Sequence, residues 1–341
     1  MSARGWALFA CVSVIWGVPY LFIKIAVEEM SPGFVAWSRV AMAALVLLPI
    51  AYRRGALRGL EVRWLLTFAV VEITIPFPMI AFGEENLSSS LAAILIAAVP
   101  LFVAALALRF DHSERPTATR LVGMLIGLAG VTALVGIDVA GSTAELVGAL
   151  AILLAALGYA CGPMIVKRQF AEFDPIGPIA GALGIASLLL LPAAVAGMPT
   201  EVPSADATAS LFVLGFLCTA IGFLFFFRLI HEVGPGRATV ITYVNPVVAL
   251  ALGVAILDES VTTGTVVGLL LILAGSWLST DGRLPPGLTA VIERRRERRR
   301  AQSLSQNLSR PHATVSRRHA PPAMLADASG IDCARVRRMA P

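Results

Sequence analysis

Two ionisable residues stand inside stretches that otherwise carry almost no charge: Arg39 and Glu72. An ionised side chain inside an apolar helix costs several kcal/mol unless it is paired or hydrated, so each is a functional candidate. Two readings stay open. Arg39 and Glu72 could form a structural ion pair between neighbouring helices, or they could contact a substrate or a proton, Glu72 being the natural proton carrier. Conventional catalytic groups are missing from the same stretches. The four histidines, His112, His231, His312 and His319, fall in loops or in the C-terminal tail. No His, Asp or Cys cluster supplies a base, a nucleophile pair or a metal site. Cys11, Cys161, Cys218 and Cys333 are too far apart for a metal motif or a disulfide framework. No Gly-rich loop followed by Lys is present, so no ATP hydrolysis, no cofactor and no enzyme activity are expected.

Around these charges lie residues that bend or line helices. Trp16 is deep in its apolar run and reads as a cavity wall, whereas Trp37, near an end, reads as an interfacial anchor. Pro19, Pro76, Pro78, Pro100, Pro163 and Pro246 each remove an amide donor, which a membrane helix tolerates only where protein or cavity water compensates. Lys24 reads as snorkelling to the headgroups, and Glu84 with Glu85 as a solvated loop at a helix mouth.

The elements that must hold these residues follow from composition. The 341 residues are 57% hydrophobic and 14% charged, far from the balance of a soluble domain. Apolar runs of about 20 residues, the length that crosses a bilayer core, predict ten spans: Trp6–Val27, Phe34–Tyr52, Trp64–Gly83, Leu87–Leu108, Thr117–Ile137, Leu146–Val166, Ile176–Ala196, Ala207–Phe227, Ala238–Leu257 and Thr262–Thr280. Alternate loops carry arginine and lysine: Arg53, Arg54, Arg58 and Arg63; Arg109, Arg115 and Arg120; Lys167 and Arg168; Arg228 and Arg237. The intervening loops at 28–33, 84–86, 138–145, 197–206 and 258–261 have none. This alternation predicts cytoplasmic termini. Arg4 and the run after it resemble a signal peptide, but no small-residue cleavage site follows, so the run is read as the first span.

The chain also repeats itself. At a shift of 143 residues Gly5 falls on Gly148, Lys24 on Lys167, Glu29 on Glu172, Pro32 on Pro175 and Pro49 on Pro192. At 146, Pro100 meets Pro246; at 145, Glu114 meets Glu259, Gly123 meets Gly268 and Ala129-Gly130 meets Ala274-Gly275. Five spans per repeat is an odd number, so the second repeat enters the membrane from the opposite side. The fold class expected is therefore an all-α integral membrane protein of ten transmembrane helices arranged as two inverted five-helix repeats, residues 1–140 and 141–281. That architecture lets secondary transporters alternate access around a site between the halves.

The order of Trp16-Gly17, Arg39, Ser88-Ser89-Ser90 through Pro100, Asn245-Pro246-Val247, Leu257-Asp258-Glu259 and Gly268 to Ala274-Gly275 resembles the drug/metabolite transporter superfamily, EamA type, over residues 5–280. The resemblance implies ten helices, a central cavity and export of amino acids, metabolites or drugs. Trp16-Gly17 is matched in the second half by Tyr159-Ala160 and Arg39 by Ala182, so the site is expected to be asymmetric. The site residues expected are Arg39, Glu72, Trp16, Pro100 and Pro246, for substrate binding or coupling. The alternatives are an intramembrane enzyme and a non-transporting scaffold or sensor.

Glycines at 123, 127 and 130, and at 268 and 275, let helices approach closely, for packing or for a homodimer. Residues 282–341 are Arg-, Pro- and Ser-rich and are expected to be a disordered cytoplasmic tail. Its run Arg294–Arg300 suits anionic lipid rather than nucleic acid. A composition rich in Ala, Gly and Arg with two lysines suits a GC-rich bacterial genome, hence the plasma (inner) membrane, with the lipid bilayer, a small-molecule substrate and protons as partners.

Overall fold

The computed structural model describes residues 2–110, 118–139, 142–233 and 239–281. The tail, with its polybasic run, and the loop residues Arg115 and Arg237 lie outside the described residues. The described chain is helical. Eight helices are long and apolar enough to cross a membrane: α1 (Ala3–Val27), α2 (Pro32–Arg53), α3 (Val62–Asn86), α4 (Ser89–Leu106), α5 (Ala118–Val139), α6 (Thr143–Phe170), α7 (Ile176–Ala196) and α8 (Ala205–Val233). Two shorter apolar helices follow, α9 (Ile241–Leu257) and α10 (Thr263–Ser279). The sequence reading had made both full spans.

Helix is the form these runs take because an apolar segment must satisfy its own backbone. Serines set where several begin. Ser2, Ser31, Ser88, Ser142 and Ser204 each accept the amide three residues on, at Gly5, Phe34, Leu91, Glu145 and Ala207. That is the N-cap arrangement, which replaces one of the donors a helix start leaves unused.

Proline and widened turns interrupt the rods. α1 bends at Gly17–Pro19. α3 carries a π-helical turn at Val70–Thr74 just before Pro76. α4 breaks at Ala97–Ala98 and resumes as Val99–Phe110, with Pro100 in its first turn. α9 changes from a 3₁₀ segment, Thr239–Tyr243, to α-helix at Asn245, with Pro246 at its start. The two prolines matched between the repeats thus occupy equivalent places, each opening a helical segment after a break.

The glycines of α5 and α10 pack on each other. A Cβ on Gly275 would lie only 2.5 Å from the Gly127 Cα and 2.7 Å from the Gly123 carbonyl, so backbone meets backbone there. Helix packing within the chain is thus one role these small residues fill. Trp37 joins α2 to α7, its indole donating to the Ser187 carbonyl at 3.0 Å.

Candidate functional site

The site begins with an irregularity in α8. Residues Val213–Ile221 form a π-helical stretch, and the Gly222 amide bonds the Leu217 and Thr219 carbonyls, bypassing Cys218. The skipped Cys218 carbonyl accepts the indole N–H of Trp16 at 3.1 Å. The next residue, Thr219, is buried and donates its hydroxyl to the Leu214 carbonyl at 2.7 Å. That same hydroxyl accepts from Arg39 Nε at 2.7 Å. Two expected site residues from the first half therefore converge on one widened turn of the second half. Widened turns of this kind recur at functional sites because they free carbonyls and redirect side chains.

Arg39 is also held from α3: its guanidinium carbon lies 4.3 Å from the centre of the Phe77 ring, a cation–π contact. Trp16 is wedged between Phe223 and Phe226, with ring centroids 5.5 and 4.7 Å away. Of the two readings left open for Arg39 and Glu72, the direct ion pair does not form. Ion pairs within 4.0 Å, such as Arg54 with Asp174 and Arg63 with Glu61, lie elsewhere. The reason is local: the Thr219 hydroxyl and the Phe77 face already fix the guanidinium, while Glu72 sits on the π turn and projects elsewhere.

Around Glu72 the backbone is loosened. Ile75 N–H bonds the Val70 carbonyl at 3.0 Å, one residue further back than in an α-helix. Pro76 has no N–H to give the Glu72 carbonyl. The side-chain Oε2 is buried without a hydrogen-bond partner and packs against Gly162 of α6, where any Cβ would collide with it. Tyr159, one turn before Gly162, lies within electrostatic reach of both Arg39 and Glu72. Sequence reasoning did not single out Tyr159, although the repeat alignment that set it opposite Trp16 was the available signal. A cavity of about 260 Å³ opens between α3, α4 and α6, lined by Trp64, Leu106, Cys161, Met164, Ile165, Arg168 and Gln169. Cys161 on its wall is the residue before Gly162, against which Glu72 packs.

Pro100 and Pro246 do not touch Arg39 or Glu72 through any polar contact; they shape the helices. Beside Pro246, the Asn245 amide, oriented to suit its neighbours, donates to the Ser13 carbonyl at 3.1 Å and the Ile241 carbonyl at 2.9 Å, tying α9 to α1.

Two expectations near the helix ends are corrected. Lys24 does not reach outward: its ammonium donates to the Glu84 carbonyl at 2.7 Å. Glu84 is no solvated loop residue, for it has no exposed surface and both carboxylate oxygens lack a hydrogen-bond partner. The helix continues to Asn86, two residues past Glu84, which carries that side chain inside. Only Glu85, its neighbour, is exposed.

Comparison with known proteins agrees with this geometry. The model of the EamA-like transporter family matches the chain twice, over residues 3–136 and 146–280. The inner membrane transporter YedA of Escherichia coli K12, a protein of uncharacterized activity, is 31% identical over 265 residues, covering 75% of this chain and 83% of the relative. A probable amino-acid metabolite efflux pump of the same organism is 26% identical over 292 residues, covering 83% of this chain and 96% of that one. A crystal structure shares the fold with a TM-score of 0.60 at 18% identity, covering 82% of this chain and 98% of that one. The family model spans most of the chain, and the chain belongs to the EamA-like transporter family.

Proposed function

We propose that this protein is a secondary transporter that exports small organic solutes, amino acids foremost, by alternating access. In this reading ten spans form two inverted five-helix repeats, residues 1–140 and 141–281, in the plasma membrane. Both termini and the tail from residue 282 face the cytoplasm. The two separate matches to the family model and the arginine-bearing alternate loops support it.

One observation carries the substrate class. Arg39 is anchored through Nε, and its Nη groups have no protein acceptor among the described residues. A guanidinium offered this way suits a carboxylate, which takes two parallel N–H bonds. Glu72, also within reach of Tyr159, offers the opposite charge without being consumed by Arg39. Separated charges of opposite sign suit a zwitterion, and Glu72 is equally placed to carry a coupling proton. Trp16 holds the turn that anchors Arg39, while the breaks before Pro100 and Pro246 are the hinges.

The test is uptake of labelled amino acids into inverted vesicles. Arg39→Lys keeps the charge but loses the fork, and should cut transport by about tenfold or more. Glu72→Gln should fold and lose transport driven by a pH gradient. Transport indifferent to both substitutions overturns the assignment of the site.

A further inference from the structure

Glu84 makes no hydrogen bond with Arg39 or Glu72 and is the most enclosed charged residue of the described chain. Its relative exposure is 0%. Four helices and one loop surround it, and their ionisable groups can be named. α1 brings Tyr20 and Lys24, α2 brings Arg39, and the loop after α9 brings Glu259. α6 packs Gly148 and Ile152 against Gly83; it carries Glu145 one turn before Gly148, and Tyr159 further along, whose electrostatic partners are Arg39 and Glu72. α4 contributes Ser89 and Ser90, whose amides are given to Glu259.

None of these groups donates to the Glu84 carboxylate. Lys24 is the nearest cation, but its hydrogen bond goes to the main-chain carbonyl of Glu84. Glu259 is an acceptor already engaged at the start of α4. An ionised carboxylate enclosed without a donor bears its full desolvation cost, several kcal/mol in an apolar setting. A bound cation removes that cost, and an enclosure with no exposed surface admits the smallest one.

We propose that Glu84 is a proton-binding site that exchanges its proton for Lys24. With the proton bound, the neutral carboxyl occupies the enclosed position described here and Lys24 rests on the Glu84 carbonyl. When the O–H bond breaks and the proton passes to water at the end bearing the loops without lysine or arginine, the carboxylate turns to the Lys24 ammonium. Lys24 then leaves the carbonyl it holds in α3. The exchange moves α1 against α3 at the end opposite the cavity. Glu84 and Glu72 lie 12 residues apart on one helix, about 18 Å at the ordinary helical rise. The proton site is therefore separate from Glu72, while Arg39 acts electrostatically on both, and only its consequence for transport rests on the transporter reading.

The experiment is infrared difference spectroscopy of the purified full chain in lipid nanodiscs, comparing neutral with alkaline buffer. The wild type should show the carbonyl stretch of a protonated carboxyl that disappears at alkaline pH. Glu84→Gln should lose this band and Glu72→Gln should keep it. Glu84→Asp, which retains the acid should the amide variant fold poorly, should shift it. A band indifferent to Glu84→Gln overturns the site, as does one that responds to sodium at fixed pH instead of to pH. In vesicles Glu84→Gln should cut transport driven by a pH gradient about tenfold or more. A chain that shows the Glu84 band and moves no solute keeps the proton site and defeats the transporter reading.

Discussion

The two ends of the helix bundle are closed by different chemistry. At the end whose loops lack lysine and arginine, three carboxylates cross between the halves, and none has a cation as its hydrogen-bond partner. Glu29 accepts the Ser204 amide at 2.6 Å. Asp138 accepts the hydroxyls of Thr262 at 2.6 Å and Thr265 at 3.1 Å. Glu259 accepts the amides of Ser89 at 2.6 Å and Ser90 at 3.1 Å, together with the Ser90 hydroxyl. Ser31 adds a bond to the Gly197 carbonyl at 2.8 Å. At the arginine-bearing end the halves meet through Arg54 and Asp174, 3.9 Å apart and both well exposed, a Ser2–Glu232 bond at 2.5 Å, and the ring cluster of Phe68, Phe170 and Phe173. Where the loops carry no basic residues, these three acids bind hydroxyls and amides. Short bonds to helix starts are worth more than solvated ion pairs. The first end is thus a latch of short bonds from carboxylates to helix starts, and the second carries an exposed ion pair beside a cavity.

Removing Glu259 should separate the ends most clearly. Glu259→Ala strips three donors at the start of α4 of their acceptor, at a cost of about 1–2 kcal/mol. It should lower the melting temperature and speed labelling of a cysteine at Leu87, which is 2% exposed, by an impermeant thiol reagent. Unchanged labelling would show that the latch lies elsewhere.

A smaller effect is expected from pH at Glu29. Hydrogen bonds from Ser204, hydroxyl and then amide, hold its carboxyl below the usual carboxylate range. That contribution is present above the usual range and is lost as pH falls through the lowered value. Spin labels at Glu28→Cys and Val202→Cys should therefore move apart as the medium is acidified, and Glu29→Ala should remove the dependence.

The smallest effect belongs to the other end. Arg54→Ala should cost no more than about 0.5 kcal/mol, since an exposed pair at this distance contributes little. A larger loss there than in Glu259→Ala would reverse the comparison.

What the sequence by itself determined is whatever depends on composition along the chain. Long runs without charge require membrane helices, because a bilayer leaves the backbone no other partner. Proline identity alone made Pro100 and Pro246 break points, since a missing N–H needs no tertiary context. The loops without lysine or arginine were likewise legible. Tertiary structure decided the partners. Arg39 lies near Glu72 in the sequence, yet its hydroxyl partner is Thr219, 180 residues away. Nothing in the run Val213–Ile221 marks the widened turn that presents it. A span such as α7 is apolar on every side, so its pattern does not say which face is turned inward. For the same reason a carboxylate at a helix end, Glu84, reads in one dimension as solvated. Its burial depends on the rotational phase of α3 against α1 and α6, which only packing sets.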